Sequence, residues 1–268
     1  LAINATRSFS SSPGNEEPPT FEFGAEFVAA WYRRSVNSLP RLAEYLEKGA
    51  FSDSLSVLGK TWLFLQLQFP KKTSVDVLEF LEGARVATEA KLRAMNCVAF
   101  PEFLARKENS SSDVADSLQH FTTSEYYNQL ALRVKKNYLH RKVYVECEGM
   151  AIESAQLAGS VYQRLTEQEY ADLVAFRKPP RGLSRNATIE QLQLYVHVAT
   201  VEDLKIVILE GKTRHVQQQN LYRVIFESRV TEPEHVDWRI ASMDILEKNA
   251  VERRPETPED ASEGKKGA

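Results

Sequence analysis

The chain predicts an α+β fold: N-terminal helices packed on one face of a curved antiparallel sheet of about four strands. Apolar residues first recur at spacings of three and four, then, beyond about residue 140, alternate with polar ones at period two. That change of character occurs once, and no internal repeat is visible. Helices first and strands after segregate into two layers rather than interleaving as a parallel sheet.

Composition bounds the function. Of 268 residues 43% are hydrophobic, with ten Tyr, thirteen Phe and three Trp, enough for one real core plus appendages. A net charge of −3 argues against DNA or other nucleic acid as the partner, since such domains carry a marked basic excess. Cys97 and Cys147 form neither a disulfide framework nor a metal spacing. The most apolar patch, "TWLFLQLQF" from Thr61 to Phe69, is interrupted by glutamines and too short to cross a bilayer. Membrane contact is therefore expected to be peripheral.

Residues 1–20 have no acid before Glu16, an Arg at Arg7 and a Ser cluster, the composition of an organellar presequence. Arg7-Ser8-Phe9-Ser10 resembles a mitochondrial processing site. This leader reads as disordered, residues 21–72 as a helical extension, 73–250 as the main domain, and 251–268 as a solvated, disordered tail.

Helical patterning runs from Phe21 to Phe69, with breaks expected at Pro40 and Gly49–Ala50 and a stop at Pro70. Thr73 or Ser74 is placed to cap the next helix, with Asp76 completing a capping box. Val77, Leu81, Ala84 and Ala87 then share one face. A polar stretch, Glu108 to Ser117, precedes a second helix from Ser124, with Tyr127, Leu130 and Val134 inward. Val143, Val145 and Cys147 begin the strands, and a helix is read from Gln163 to Ala175, followed by a basic loop. Leu192, Leu194, Val196 and Val198 are inward, with Gln191, Gln193, Tyr195 and His197 outward. Leu204, Ile206 and Ile208 continue that pattern. Tyr222, Val224, Phe226 and Val230 form the next buried set, and Trp238 and Ile240 the last.

No catalytic or cofactor constellation is found. GxGxxG, Walker and GxSxG patterns are absent, and the five histidines are scattered without ligand spacing. Catalytic, metal and cofactor residues are therefore expected to be none. Glu202 and Asp203 are assigned to a turn in the strands, where carboxylates are solvated. One enzymatic route stays open, because helices on a bent sheet is also the plan of ketosteroid-isomerase-like enzymes. Tyr195, Asp237 or Asp244 would then take the acid and donor roles.

Two stretches suggest contact. Arg133, Lys135, Lys136, Arg141 and Lys142 concentrate charge at one helix end, suited to anionic lipid headgroups or to a favourable helix C-terminus. Trp62, Leu65 and Phe69 form a helical stripe bordered by lysines, suited to a membrane interface, a partner or the core. The hollow of the sheet supplies a third candidate, an apolar pocket walled by Tyr222, Val224, Phe226 and Trp238.

The leader, the helix "FLEGARVAT", the capped "TSEYYNQL" and the terminal "YRVIFESRV…VDWRIASMDIL" together resemble the TIM-forty-four-like domain family over roughly residues 60 to 248. The resemblance implies a cystatin-like or nuclear-transport-factor-like plan. The stretches "KTWLFLQLQFPKKTSVDVLEFLEGARVA" and "VDWRIASMDILE" are most similar to the branch that interacts with a matrix AAA peptidase. "QLYVHVATVEDLKIVI" is similar to a ribosomal member of the family that anchors mitochondrial ribosomes to the inner membrane. What this implies is a non-catalytic adaptor, peripheral on the matrix face of the inner membrane, that aids sorting or assembly of membrane proteins. Its partner would be an AAA protease or import or insertion machinery, with anionic lipid or the ribosome as further partners.

Overall fold

A computed structural model describes residues 25–106, 112–175, 187–208 and 212–253. The leader, the basic loop after Ala175 and most of the tail lie outside those residues. Among the described residues the expected architecture is present: seven α-helices and a four-stranded antiparallel sheet, in the order β1-β2-β3-β4. The strands are β1 (Val143–Leu165), β2 (Ile189–Ile208), β3 (Lys212–Arg229) and β4 (Arg239–Arg253). β4 thus takes in the first residues assigned to the tail.

The longest helices precede the sheet: α1 (Ala25–Glu47), α2 (Val57–Gln66) and α3 (Val77–Met95). α1 continues through Pro40. The ring costs one backbone hydrogen bond on a solvent-exposed turn, while Leu42 and Tyr45 beyond it are anchored in the core. α3 is capped by Asp76 itself, whose Oδ1 accepts from Leu78 N and Glu79 N. Thr73, an expected cap, instead donates its hydroxyl to Val230 O at 2.8 Å and ties the helix entrance to the end of β3. Three short helices follow, α4 (Ala99–Ala105), α5 (Asp113–Phe121) and α6 (Ser124–Lys136), the last running into a π-helical turn over Asn137–Arg141. Lys142 then takes a left-handed conformation, φ 55°, that ends the helix sharply.

Alternation along β2 and β3 sends Leu192, Leu194, Val196, Val198, Val224 and Phe226 toward the helices. There they join Val77, Phe80, Leu81, Ala84 and Leu92 of α3 in one core. Leu42 and Tyr45 of α1, Phe51, and Leu63, Phe64 and Leu67 near α2 belong to the same core. Each Val, Leu or Phe among them contributes about 1.5–3 kcal/mol by leaving water. Phe51 also bridges to Leu157, with Ser52 N donating to Leu157 O and Leu157 N to Ala50 O, which covers the outer edge of β1.

β1 is far longer than its opening residues suggest. It runs to Leu165, where a helix was expected from Gln163; α7 (Glu167–Val174) starts only after Thr166, its N-cap in a capping box with Glu169. Bulges at Cys147/Gly149, Ile152/Ser154 and Leu157/Gly159 reset its alternation and bend the sheet. At two bulge positions glycine leaves room for a side chain of the facing strand. A Cβ at Gly149 would lie 3.1 Å from Asp203 Oδ2, and one at Gly159 3.2 Å from Tyr195 Cδ2.

Candidate functional site: two clefts and a buried carboxylate

A cleft of about 500 Å³ opens between α3 and the connection from β3 to β4. Phe80, Phe226 and Trp238 form its apolar wall, the Phe80 ring 5.5 Å from Phe226 and 4.9 Å from Trp238. Small side chains at Ala84 and Ala87 leave the room, and Gly83 also lines it. Its charged rim is acidic, from Asp76, Glu79 and Asp237, with His120 beside them. Of the four residues expected to wall a pocket, Phe226 and Trp238 line this cleft, and Val224 and Tyr222 do not. Val224 is buried in the core, and Tyr222 turns its hydroxyl to Glu202.

Glu202 is the residue that sequence patterning placed wrongly. It lies within β2, 1% exposed, not at a solvated turn. Its Oε1 accepts from Thr200 Oγ1 at 2.7 Å, Tyr222 OH at 2.8 Å and Asn220 Nδ2 at 2.9 Å. Its Oε2 accepts from Gln218 Nε2 at 3.3 Å. Lys91 of α3 is buried nearby, and desolvation lowers its pKa to about 8 despite the opposing pull of Glu202. The same carboxylate, with burial the larger cause, pushes the Tyr222 phenol well above its ordinary value. No lining residue of either cleft belongs to this cluster. With both oxygens accepting from donors of the sheet, Glu202 organises the core.

A second cleft, of about 620 Å³, lies on the other side of the Phe121–Ser124 junction, and Asp237 lines both. Ile225, Leu173, Val174 and the Tyr170 ring supply its apolar lining, and Glu227 its desolvated acid. Glu227 accepts from Gln193 Nε2 at 3.2 Å and Gln191 Nε2 at 3.5 Å. Gln191, expected to be outward, is 3% exposed because it packs against that carboxylate. Burial raises the Glu227 pKa, the Gln193 bond opposes, and Glu125 adds to the rise.

The remaining candidates are dispersed. Arg133, Lys135, Lys136, Arg141 and Lys142 are all exposed at the end of α6 and its π-helical turn. None makes a side-chain ion pair or hydrogen bond among the described residues, and none lines a cleft. Leu132 and Leu139, which sequence reading passed over, protrude among them. Trp62 is partly exposed on α2, but Phe69 lies beyond that helix and stacks with Phe27, Trp31 and Tyr162, so the expected stripe is not one surface. Tyr195, Asp237 and Asp244 do not converge. Asp237 pairs with Arg239, and Asp244 with Arg223. No described helix is long and apolar enough to cross a membrane. No protein-family model matches the chain, and no curated protein is significantly similar to it.

Proposed function

We propose that the protein is a non-catalytic adaptor whose apolar cleft grips a hydrophobic segment of a polypeptide partner. The observation that carries this is the Phe80–Phe226–Trp238 wall beside a hollow kept open by Ala84 and Ala87. A half-open apolar concavity of that size suits one or two large side chains. The resemblance to the TIM-forty-four-like family supplies the setting: the mitochondrial matrix, peripheral on the inner membrane, with an AAA protease or import or insertion machinery as partner. The unpaired cations at the end of α6 would face the anionic membrane surface.

Affinity purification from mitochondria, with wild type and Trp238→Ala side by side, tests this. Capture of an inner-membrane protease or insertion complex that depends on Trp238 is expected. Co-migration with the large ribosomal subunit on a sucrose gradient would instead assign the ribosome-anchoring role. Capture indifferent to Trp238 would defeat the cleft as the gripping surface.

One observation favours a second reading. A buried acid beside a tyrosine, Glu202 with Tyr222, is the pair an isomerase-like enzyme requires. Turnover of a small ketone by wild type, lost in Glu202→Gln, would establish it. The four hydrogen bonds that Glu202 accepts, and its absence from both cleft linings, support the adaptor instead.

A further inference from the structure

We infer that the second cleft is a subsite for a cation, a protonated amine or guanidinium on an apolar stem, held by the Glu227 carboxylate. The adaptor reading supplies only the source of that cation, not the case for the site.

Glu227 lies on β3 directly across from Gln193 of β2 and Arg239 of β4. Its cross-strand arginine does not neutralise it, because Arg239 Nε is held by Asp237 Oδ2 at 2.7 Å. The other nearby cation, Arg229, reaches Glu167 at 3.6 Å and lies over the Tyr170 ring. Glu227 itself makes no ion pair among the described residues and accepts only from neutral amides. This half-buried carboxylate has no counter-ion among the described residues, and an arriving cation relieves that cost. Its pKa, raised by burial, is consistent with the same shortage.

The rest of the lining selects the stem. Leu173, Val174, Ile225 and the Tyr170 ring offer apolar contact to methylenes beside the charge. An anion would meet Glu125, Glu227 and Asp237, while Arg239 is held by Asp237 and Arg229 lies 3.6 Å from Glu167. Because Asp237 also borders the first cleft, whose rim carries Asp76 and Glu79, the two hollows favour a basic, apolar occupant together. The cation comes either from a lysine or arginine of a bound polypeptide or from a free small amine.

Four probes separate these sources: hexylamine, hexanol, and two acetylated, amidated leucine-rich peptides that differ only in lysine against glutamine. Ligand-detected NMR and fluorescence anisotropy would compare wild type, Glu227→Gln and Trp238→Ala, each checked for an unchanged circular dichroism spectrum. Hexylamine, and not hexanol, is expected to bind wild type about tenfold more tightly than Glu227→Gln, the effect of a partly buried ion pair. If the lysine peptide shows the same dependence, the cation is a polypeptide's. If only hexylamine does and no peptide binds, the subsite holds a small amine and the polypeptide groove fails. If both peptides bind equally and depend on Trp238 but not Glu227, the groove stands and the cation subsite is overturned. Hexylamine and lysine peptide binding that ignores Glu227 overturns it in every case.

Discussion

Replacing Lys91 with methionine probes the electrostatics of the core directly. Lys91 points from α3 toward α6 and β4, 3% exposed, its ammonium 3.1 Å from Met243 Sδ and 5.7 Å from the centre of the Tyr126 ring. A thioether and a ring face replace water poorly. Desolvation lowers its pKa from 10.5 to about 8, against the pull of Glu202, and Arg133 adds to the lowering. In the unfolded chain the amine takes up its proton as pH falls through 10.5, in the folded chain only near 8. Between those values the unfolded state binds more protons, so stability drains away as pH falls and is fully lost below about 8.

The whole displacement is worth about 3 kcal/mol, of which about 2 kcal/mol returns between about pH 7 and about pH 9.5. Tyr126, Tyr162, Tyr222 and Cys147 are all held above their ordinary values and withdraw stability as pH rises. Those contributions are common to both proteins and largely cancel in their difference. Urea unfolding across this range should find Lys91→Met more stable than wild type near pH 7. The gap should then close by about 2 kcal/mol toward about pH 9.5, since Glu202 keeps its neutral donors in the variant. A gap that does not change with pH would refute the assignment of a desolvated ammonium at this position.

Three further outcomes are expected. Gly159→Ala should cost about 1–3 kcal/mol in chemical denaturation, because the new methyl meets the Tyr195 ring across the strand at 3.2 Å. Asp76→Ala should cost about 1 kcal/mol by freeing two backbone donors at the start of α3; Asp76→Asn should recover most of it, which thermal melts would read. Alanine at Lys135, Lys136, Arg141 and Lys142 together should leave the thermal midpoint unchanged, since none has an ion-pair or hydrogen-bond partner to lose among the described residues. It should also abolish any salt-sensitive sedimentation with vesicles containing anionic lipid.

The fold class was legible because β2 and β3 alternate cleanly, from Leu192 to Val198 and from Tyr222 to Val230, and α3 keeps its apolar face in step. β1 was not legible beyond Cys147. Three bulges break its period, so Ile152, Ala155 and Leu157 do not recur at even spacing although all belong to one strand. The capping at Asp76 was half legible: an acid was expected at the helix entrance, but Thr73 is drawn away by Val230, a tertiary contact that local pattern cannot reveal. Of the sites, Phe226 and Trp238 were readable from their place on the terminal hairpin. Tyr222 shares their periodicity and differs only because Glu202 stands across the sheet to take its hydroxyl.

The fully buried Glu202 and the half-buried Glu227 show why burial alone does not mark a site. Glu202 and Glu227 occupy neighbouring strands and both leave water, yet their surroundings differ in kind. Glu202 accepts from four donors, three on one oxygen and one on the other, and has a lysine close enough to feel its charge, so its charge is largely met from within. Glu227 is met by two amides, and the arginine across from it is turned away by Asp237. Removing either acid would change stability, but only at Glu227 does an outside cation find an unmet electrostatic demand in a space large enough to enter. Asp237, by holding Arg239, keeps that demand open, and it does so from the same turn that presents Trp238 to the apolar cleft.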